Sequence, residues 1–200
     1  MRELLIERLS GDAIRRHLPA LAALRMAVFR EFPYLYEGSI EYEHTYLRGF
    51  AASPDSTLVV ARDGNVVVGA STALPLSHHG DAEAIIAPLR AAGFDLAQVY
   101  YFGESVLHAH YRGRGVGHAF FDHREAAARA AGYRVCAFCA VERPADHPAR
   151  PQDYQPHDAF WTRRGYLQRR DIVATFSWRD IGAATDTDKP MVFWTKELGS

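Results

Sequence analysis

The run Arg112-Gly113-Arg114-Gly115-Val116-Gly117 combines what an anion site needs: main chain free of side-chain bulk, with cationic groups beside it. A helical pattern opens at Val116, and the first N–H groups of a helix lack internal partners and stand at the positive end of its dipole. Gly113, Gly115 and Gly117 let that backbone approach a ligand closely. Arg112 and Arg114 add guanidinium groups, whose planar fork matches phosphate better than an ammonium does. The expected chemistry is therefore the holding of a phosphate or pyrophosphate on the main chain of residues 113 to 118, ending at His118. Other phosphate loops fail on spacing. A P-loop needs Gly-Lys followed by Ser or Thr, which the sequence lacks here, and the dinucleotide fingerprint would need small residues where His118 and Phe120 stand.

The elements that position this loop can be read from hydrophobic period and turn residues. Leu4 to Leu9 is a strand candidate, and Leu18, Leu21, Leu24, Val28 and Phe32 recur at helical steps up to Pro33, with Pro19 expected in the first turn. A second helix is expected across Ile40 to Phe50. Thr57 to Arg62 and Val66 to Ala73 flank Asp63-Gly64-Asn65, a hairpin signature. Residues 76 to 97 form an insertion containing His78, His79 and a short helix from Ala82 to Ala92. A strand from Gln98 to Leu107 then feeds the glycine-rich loop and a helix from about Val116 to Ala131. A strand at 133 to 141, a loop rich in Pro, His and Arg at 142 to 157, and a helix from Ala159 to Arg164 capped by Asp158 follow. Ile172 to Trp178 and Met191 to Lys196 complete the strands. This order predicts a single α/β (α+β) domain over 1–200, with a mixed sheet of about seven strands and helices on both faces.

Composition narrows the partners. With 23 Lys and Arg against 24 Asp and Glu, there is no bulk positive field to hold a nucleic acid or an anionic membrane. The only apolar run of Met1-Arg-Glu-Leu-Leu-Ile-Glu-Arg is three residues long, so no signal peptide is expected. Cys136 and Cys139 fall on opposite faces of one strand, which argues against a disulfide and suits a reducing, cytoplasmic setting. His78, His79, His108 and His110 lack a carboxylate or cysteine at ligand spacing, so no metal site is expected.

The loop resembles the signature of the GNAT acetyltransferase family: Gln or Arg, two residues, Gly, one residue, then Gly or Ala. Arg112, Gly115 and Gly117 fill those positions, after a strand and Tyr111 and before a helix. Ala159-Phe-Trp-Thr-Arg-Arg-Gly165-Tyr166 is similar to the family's late motif, a short helix ending in Gly and an aromatic residue, and the element order agrees along nearly the whole chain. The resemblance implies a mostly antiparallel sheet splayed between its fourth and fifth strands, with the pantetheine arm of acetyl-CoA inserted there. It implies that main-chain groups around Val106 and Leu107 pair with the pantetheine amides and that residues 113 to 118 hold the pyrophosphate.

Acyl transfer to an amine requires removal of a proton from the amine and stabilisation of a departing thiolate. Glu104, eight residues before Arg112, lies close to where many members of the resembled family place a base and is the candidate base; its alternative role is a strand carboxylate facing solvent or paired with an arginine. Where the family often carries a tyrosine acid, this chain has Trp161, whose indole cannot serve, so Trp161 is expected to pack against the pantetheine or thioester. The thiolate then either leaves unassisted or takes its proton from a tyrosine elsewhere, such as Tyr154, which is also a candidate acceptor-binding residue. Tyr34, Tyr36, Tyr42 and Tyr46 are expected to line the acceptor pocket, where aromatic faces could hold an amine, with 76–97 and 142–157 as lids. The expected activity is acetyl transfer from acetyl-CoA to a small-molecule amine; the alternatives are an acyl-CoA sensor without turnover and a protein N-acetyltransferase. Met191 to Trp194, read as an outer strand, offers a surface for a homodimer.

Overall fold

A computed structural model describes residues 3–79 and 82–199. Met1, Arg2 and Ser200 lie outside the described residues, as do positions 80 and 81 of the 76–97 segment. The strands are β1 (Leu5–Leu9), β2 (Thr57–Asp63), β3 (Val66–Pro75), β4 (Val99–Leu107), β5 (Val135–Val141), β6 (Leu167–Trp178) and β7 (Thr187–Glu197). The helices are α1 (Asp12–Phe29), α2 (Ile40–Ala52), α3 (Ala82–Ala91), α4 (Val116–Ala130) and α5 (Asp158–Arg163). One seven-stranded sheet runs in the order β1-β2-β3-β4-β5-β7-β6. All pairings are antiparallel except β4 with β5, whose parallel crossover is α4.

The apolar periodicity divides two cores between the sheet faces. Ile14, Leu21 and Leu24 of α1, Leu47 and Phe50 of α2, and Ile85 and Leu89 of α3 pack on the face carrying Tyr101, Val106 and Cys139. Phe121 and Ala128 of α4 pack on the opposite face with Tyr100, Phe102, Cys136, Phe138 and Trp194. Cys136 and Cys139 therefore sit in different cores, and both are free thiols.

Two features of this sheet create the site. The first is that β4 and β5 pair only from Val99–Tyr101 against Val135–Ala137, so beyond Tyr101 and Ala137 the strands part. The second is a bulge in β4. Ser71 faces Ser105 and Ala73 faces Phe102, which leaves Thr72 opposite both Gly103 and Glu104. A Cβ on residue 103 would stand 2.5 Å from Thr72 Oγ1, so only glycine fits. Glu104 N donates to that same Oγ1 at 3.1 Å. From α4, the buried Arg124 Nη1 donates to the carbonyls of Thr72 (3.3 Å) and Glu104 (3.4 Å), while its guanidinium stacks 4.2 Å from the Phe102 ring centroid. Burial brings Arg124 down to about 10.

Several expectations need correction. Met191 to Trp194 is not an outer strand: β7 lies between β5 and β6, its polar groups are already paired, and the edges are β1 and β6. Pro19 lies inside α1 rather than in its first turn, because the helix starts back at Asp12. His157, not Asp158, is the N-cap of α5, and Asp158 falls in the first turn, where its charge favours the helix dipole. The 76–97 segment is built into the fold, since Leu76, Ile85 and Leu89 are core residues. Among the described residues, no helix is long and apolar enough to cross a membrane.

Candidate active site

The anion loop has the geometry its glycines suggest. Gly113 and Gly115 take φ of 75° and 79°, which side-chain-bearing residues rarely adopt, and Gly115 is the N-cap of α4. Gly117 has no such backbone demand, and a Cβ there would meet only Phe160 at ordinary contact distance, 3.5 Å. The fold tolerates a side chain at 117; a ligand on the main chain would not. Arg112 is not free to wrap an anion in this state: its Nη2 pairs with Glu31 Oε2 at 2.6 Å and reaches the Leu107 carbonyl at 3.2 Å. Arg114 turns away, donating to the His110 carbonyl at 2.8 Å and lying over Tyr111.

A cavity of about 1260 Å³ runs from this loop along the parted strands. Its walls include Gly113, Gly115, Val116, Gly117 and His118 at one end and Ser105, Leu107, Phe138 and Ala140 along its length; Arg114 is not among them. Residues 149 to 151 and 153 to 157 of the 142–157 loop line it. Val106 is not among the lining residues. His108 N bonds to Val68 O, and strand alternation then gives the main-chain groups of Val106 to Ala70 and turns those of Leu107 away from β3. Trp161 lines this cavity, packed 5.1 Å from both Phe138 and Trp194. His157 does too, and burial together with Arg112 lowers its pKa, which favours the neutral imidazole.

A second cavity of about 370 Å³ opens on the α1–α2 side, and all four expected tyrosines line it. Tyr42 and Tyr46 stack with their rings 10° from parallel, and Trp178, Phe176, Ile85 and His79 complete much of the wall. The 76–97 segment thus supplies wall rather than lid. Tyr154, expected here, instead lines the large cavity, edge-on to Phe32 at 4.7 Å and under Arg150.

Phe29, Tyr34, Gly103, Glu104 and Cys139 line both cavities, so the two meet at the β4 bulge. There Arg25 of α1 bridges two carboxylates: its Nη1 lies 2.5 Å from Glu104 Oε2, and its Nε lies 2.5 Å from Glu43 Oε2. Tyr46 also donates to Glu104 Oε2, at 3.3 Å. Glu104 is 5% exposed and Glu43 fully buried, yet Oε1 of each has no hydrogen-bond partner. Buried carboxylate oxygens are seldom left so. Of the two carboxylates only Glu104 lines the cavities, so its Oε1 is an acceptor at the junction that no donor among the described residues meets, beside the aromatic walls.

Arg25 and Glu43 went unnoticed in the sequence, although a signal existed. Arg25 lies four residues from both Leu21 and Phe29, on the apolar stripe of α1, and Glu43 lies four before Leu47 on that of α2. A charged residue on a buried stripe must find a partner.

The glycine-rich loop at the start of α4 thus opens into a parted sheet, with a carboxylate at the far end and a second cavity meeting the first there. The chain belongs to the acetyltransferase (GNAT) family, whose profile matches residues 21–166. Solved structures share the fold at low identity. A ribosomal-protein-alanine N-acetyltransferase from Brucella melitensis superposes with a TM-score of 0.60 at 16% identity, covering 97% of this chain and 99% of the other. The PaiA N-acetyltransferase of Thermoplasma acidophilum, in complex with coenzyme A, gives 0.55 at 13%, covering 98% and 100%. YncA of Salmonella typhimurium, with its cofactor acetyl-CoA, gives 0.57 at 12%, covering 100% and 96%. No curated protein matches the sequence.

Proposed function

We propose that the protein transfers an acetyl group from acetyl-CoA to a primary amine of a small molecule, by direct attack while both substrates are bound. The observation that carries this reading is Glu104, which lines both cavities and whose Oε1 has no hydrogen-bond partner among the described residues. Main chain from Gly113 to His118 would take the pyrophosphate of acetyl-CoA, supported by the left-handed glycines and by a bare main chain at Gly117, where the fold itself would accept a side chain. The parted β4 and β5 would admit the pantetheine arm, with the outward main chain of Leu107 and Ser105 available to its amides once Arg112 releases the Leu107 carbonyl. Trp161 and Phe138 would pack along it.

In the second cavity Tyr34, Tyr36, Tyr42 and Tyr46 would surround the acceptor, whose ammonium supplies the donor that Glu104 Oε1 lacks. Glu104 takes a proton from that ammonium, and the neutral amine attacks the thioester carbonyl across the junction. Arg25 and Glu43 fix the carboxylate, and Arg124 fixes the bulge that aims it. A chamber of about 370 Å³ walled by rings supports a metabolite rather than a protein surface as acceptor.

The test is release of free CoA thiol from acetyl-CoA over a panel of small amines, alongside the thermal stabilisation that acetyl-CoA confers. Turnover of at least one primary amine is expected. Stabilisation without turnover of any amine would identify a sensor, and no stabilisation at saturation would remove the cofactor assignment.

A further inference from the structure

When the carbon–sulfur bond breaks, the departing thiolate needs a proton or a strong donor, and the indole of Trp161 supplies no acid. The hydroxyl and thiol donors at the junction can be sorted by what they already hold. Tyr101 Oη is engaged with Cys139 Sγ at 3.1 Å, and Tyr46 Oη with Glu104 at 3.3 Å. Tyr154 lines only the large cavity, within the 142–157 loop. Tyr34 lines both cavities, and among the described residues its hydroxyl makes no hydrogen bond. A phenol so placed normally finds a partner.

The main chain around Tyr34 is fixed from several elements at once. Its carbonyl accepts from Arg143 Nη2 at 2.8 Å and Trp178 Nε1 at 3.0 Å, and Arg143 Nε donates to the Pro33 carbonyl at 2.8 Å. Arg143 is itself held by both oxygens of Asp180, at 2.7 and 2.9 Å. Leu35, next in the chain, has φ of 54°, a conformation a leucine keeps only where its surroundings over-determine it, and its carbonyl accepts from Ile181 N at 2.7 Å. The ring rests 4.6 Å from Phe29. Nothing about a simple pocket wall requires this much fixation of one loop residue.

We infer that Tyr34 is the catalytic proton donor to the sulfur of the departing CoA. This assignment rests on the acetyl-transfer reading above. As the amine nitrogen bonds to the carbonyl carbon, the carbon–sulfur bond breaks, its electron pair stays on sulfur, and the Tyr34 hydroxyl gives its proton to that sulfur. The nitrogen sheds its second proton to water and the phenolate recovers one from water. The net reaction releases the single proton that Glu104 removed from the ammonium. Burial, then the neighbouring Cys139, raises the Tyr34 phenol above its ordinary range, so it stays protonated until needed. The same burial pushes the Cys139 thiol up to about 12, and a thiolate set free in those surroundings is correspondingly basic.

The experiment compares Tyr34→Phe and Glu104→Gln in thiol release from acetyl-CoA, with the best amine and with hydroxylamine, which arrives already neutral. Tyr34→Phe should keep its melting temperature and its KM for acetyl-CoA while kcat falls about 100-fold with either nucleophile. The Glu104→Gln defect should shrink with hydroxylamine, because no ammonium then needs its proton removed. Fluorotyrosine in place of Tyr34, which keeps the ring and hydroxyl, should restore most of the rate and move the alkaline limb of kcat to lower pH. A Tyr34→Phe rate within about twofold of wild type, or a loss confined to KM, would overturn the assignment. A wild-type protein that releases no thiol to any nucleophile would overturn the acetyl-transfer reading beneath it.

Discussion

The proposed anion cradle and the proposed acceptor chamber are built by opposite means. The cradle takes its shape from consecutive residues, 113 to 118, and mostly from main chain: two left-handed glycines and the start of α4. The chamber takes its chemistry from side chains far apart in the sequence, with Arg25, Glu43 and Glu104 brought together from α1, α2 and β4. A main-chain site constrains its own sequence and so can be recognised in it. A side-chain site depends on how distant elements pack, and many sequences can carry the same scaffold with a different chamber.

The contrast predicts that damage to the two regions will differ in kind. The largest effect should come from Arg25→Met, which leaves two buried carboxylates without their shared cation and should cost about 3–5 kcal/mol of stability. Chemical denaturation measures it, and a loss below about 1 kcal/mol would mean that the carboxylates reach solvent or protonate readily. Gly117→Val comes next. Because the fold has room for a Cβ there, its melting temperature should hold, while acetyl-CoA affinity should fall about 100-fold, or roughly 2.7 kcal/mol. A parallel loss of stability would show instead that Gly117 serves packing. Arg114→Ala should change acetyl-CoA affinity by only about threefold, as expected for an exposed charge that is no part of the cavity wall. Calorimetric titration of both variants would reveal whether arginine charge matters more than main-chain shape.

How much was legible follows the same division. The element order, the loop and the late motif around Gly165 follow from local period and turn chemistry, and the tyrosine-rich segment from 34 to 46 pointed to the second cavity. Glu104 is legible as the candidate base only through the family resemblance, because its setting depends on the bulge at Gly103 and on Arg25, neither of which has a local signature. The misread strand is instructive. Met191 to Trp194 is an unbroken apolar run, the pattern of a strand covered on both faces, and both its neighbours are in fact strands. That Arg114 and Val106 lie off the cavity wall was not legible for a shared reason: a cation's direction and a strand's hydrogen-bonding parity are set by neighbours that spacing does not reveal.

The central claim, that the two cavities meet in a working junction at Glu104, is tested most directly by Glu104→Gln measured on two axes. Acetyl-CoA should bind this variant with an affinity within about twofold of wild type, while kcat for thiol release to the preferred amine falls at least about 100-fold. Thiol release at the wild-type rate would contradict the claim.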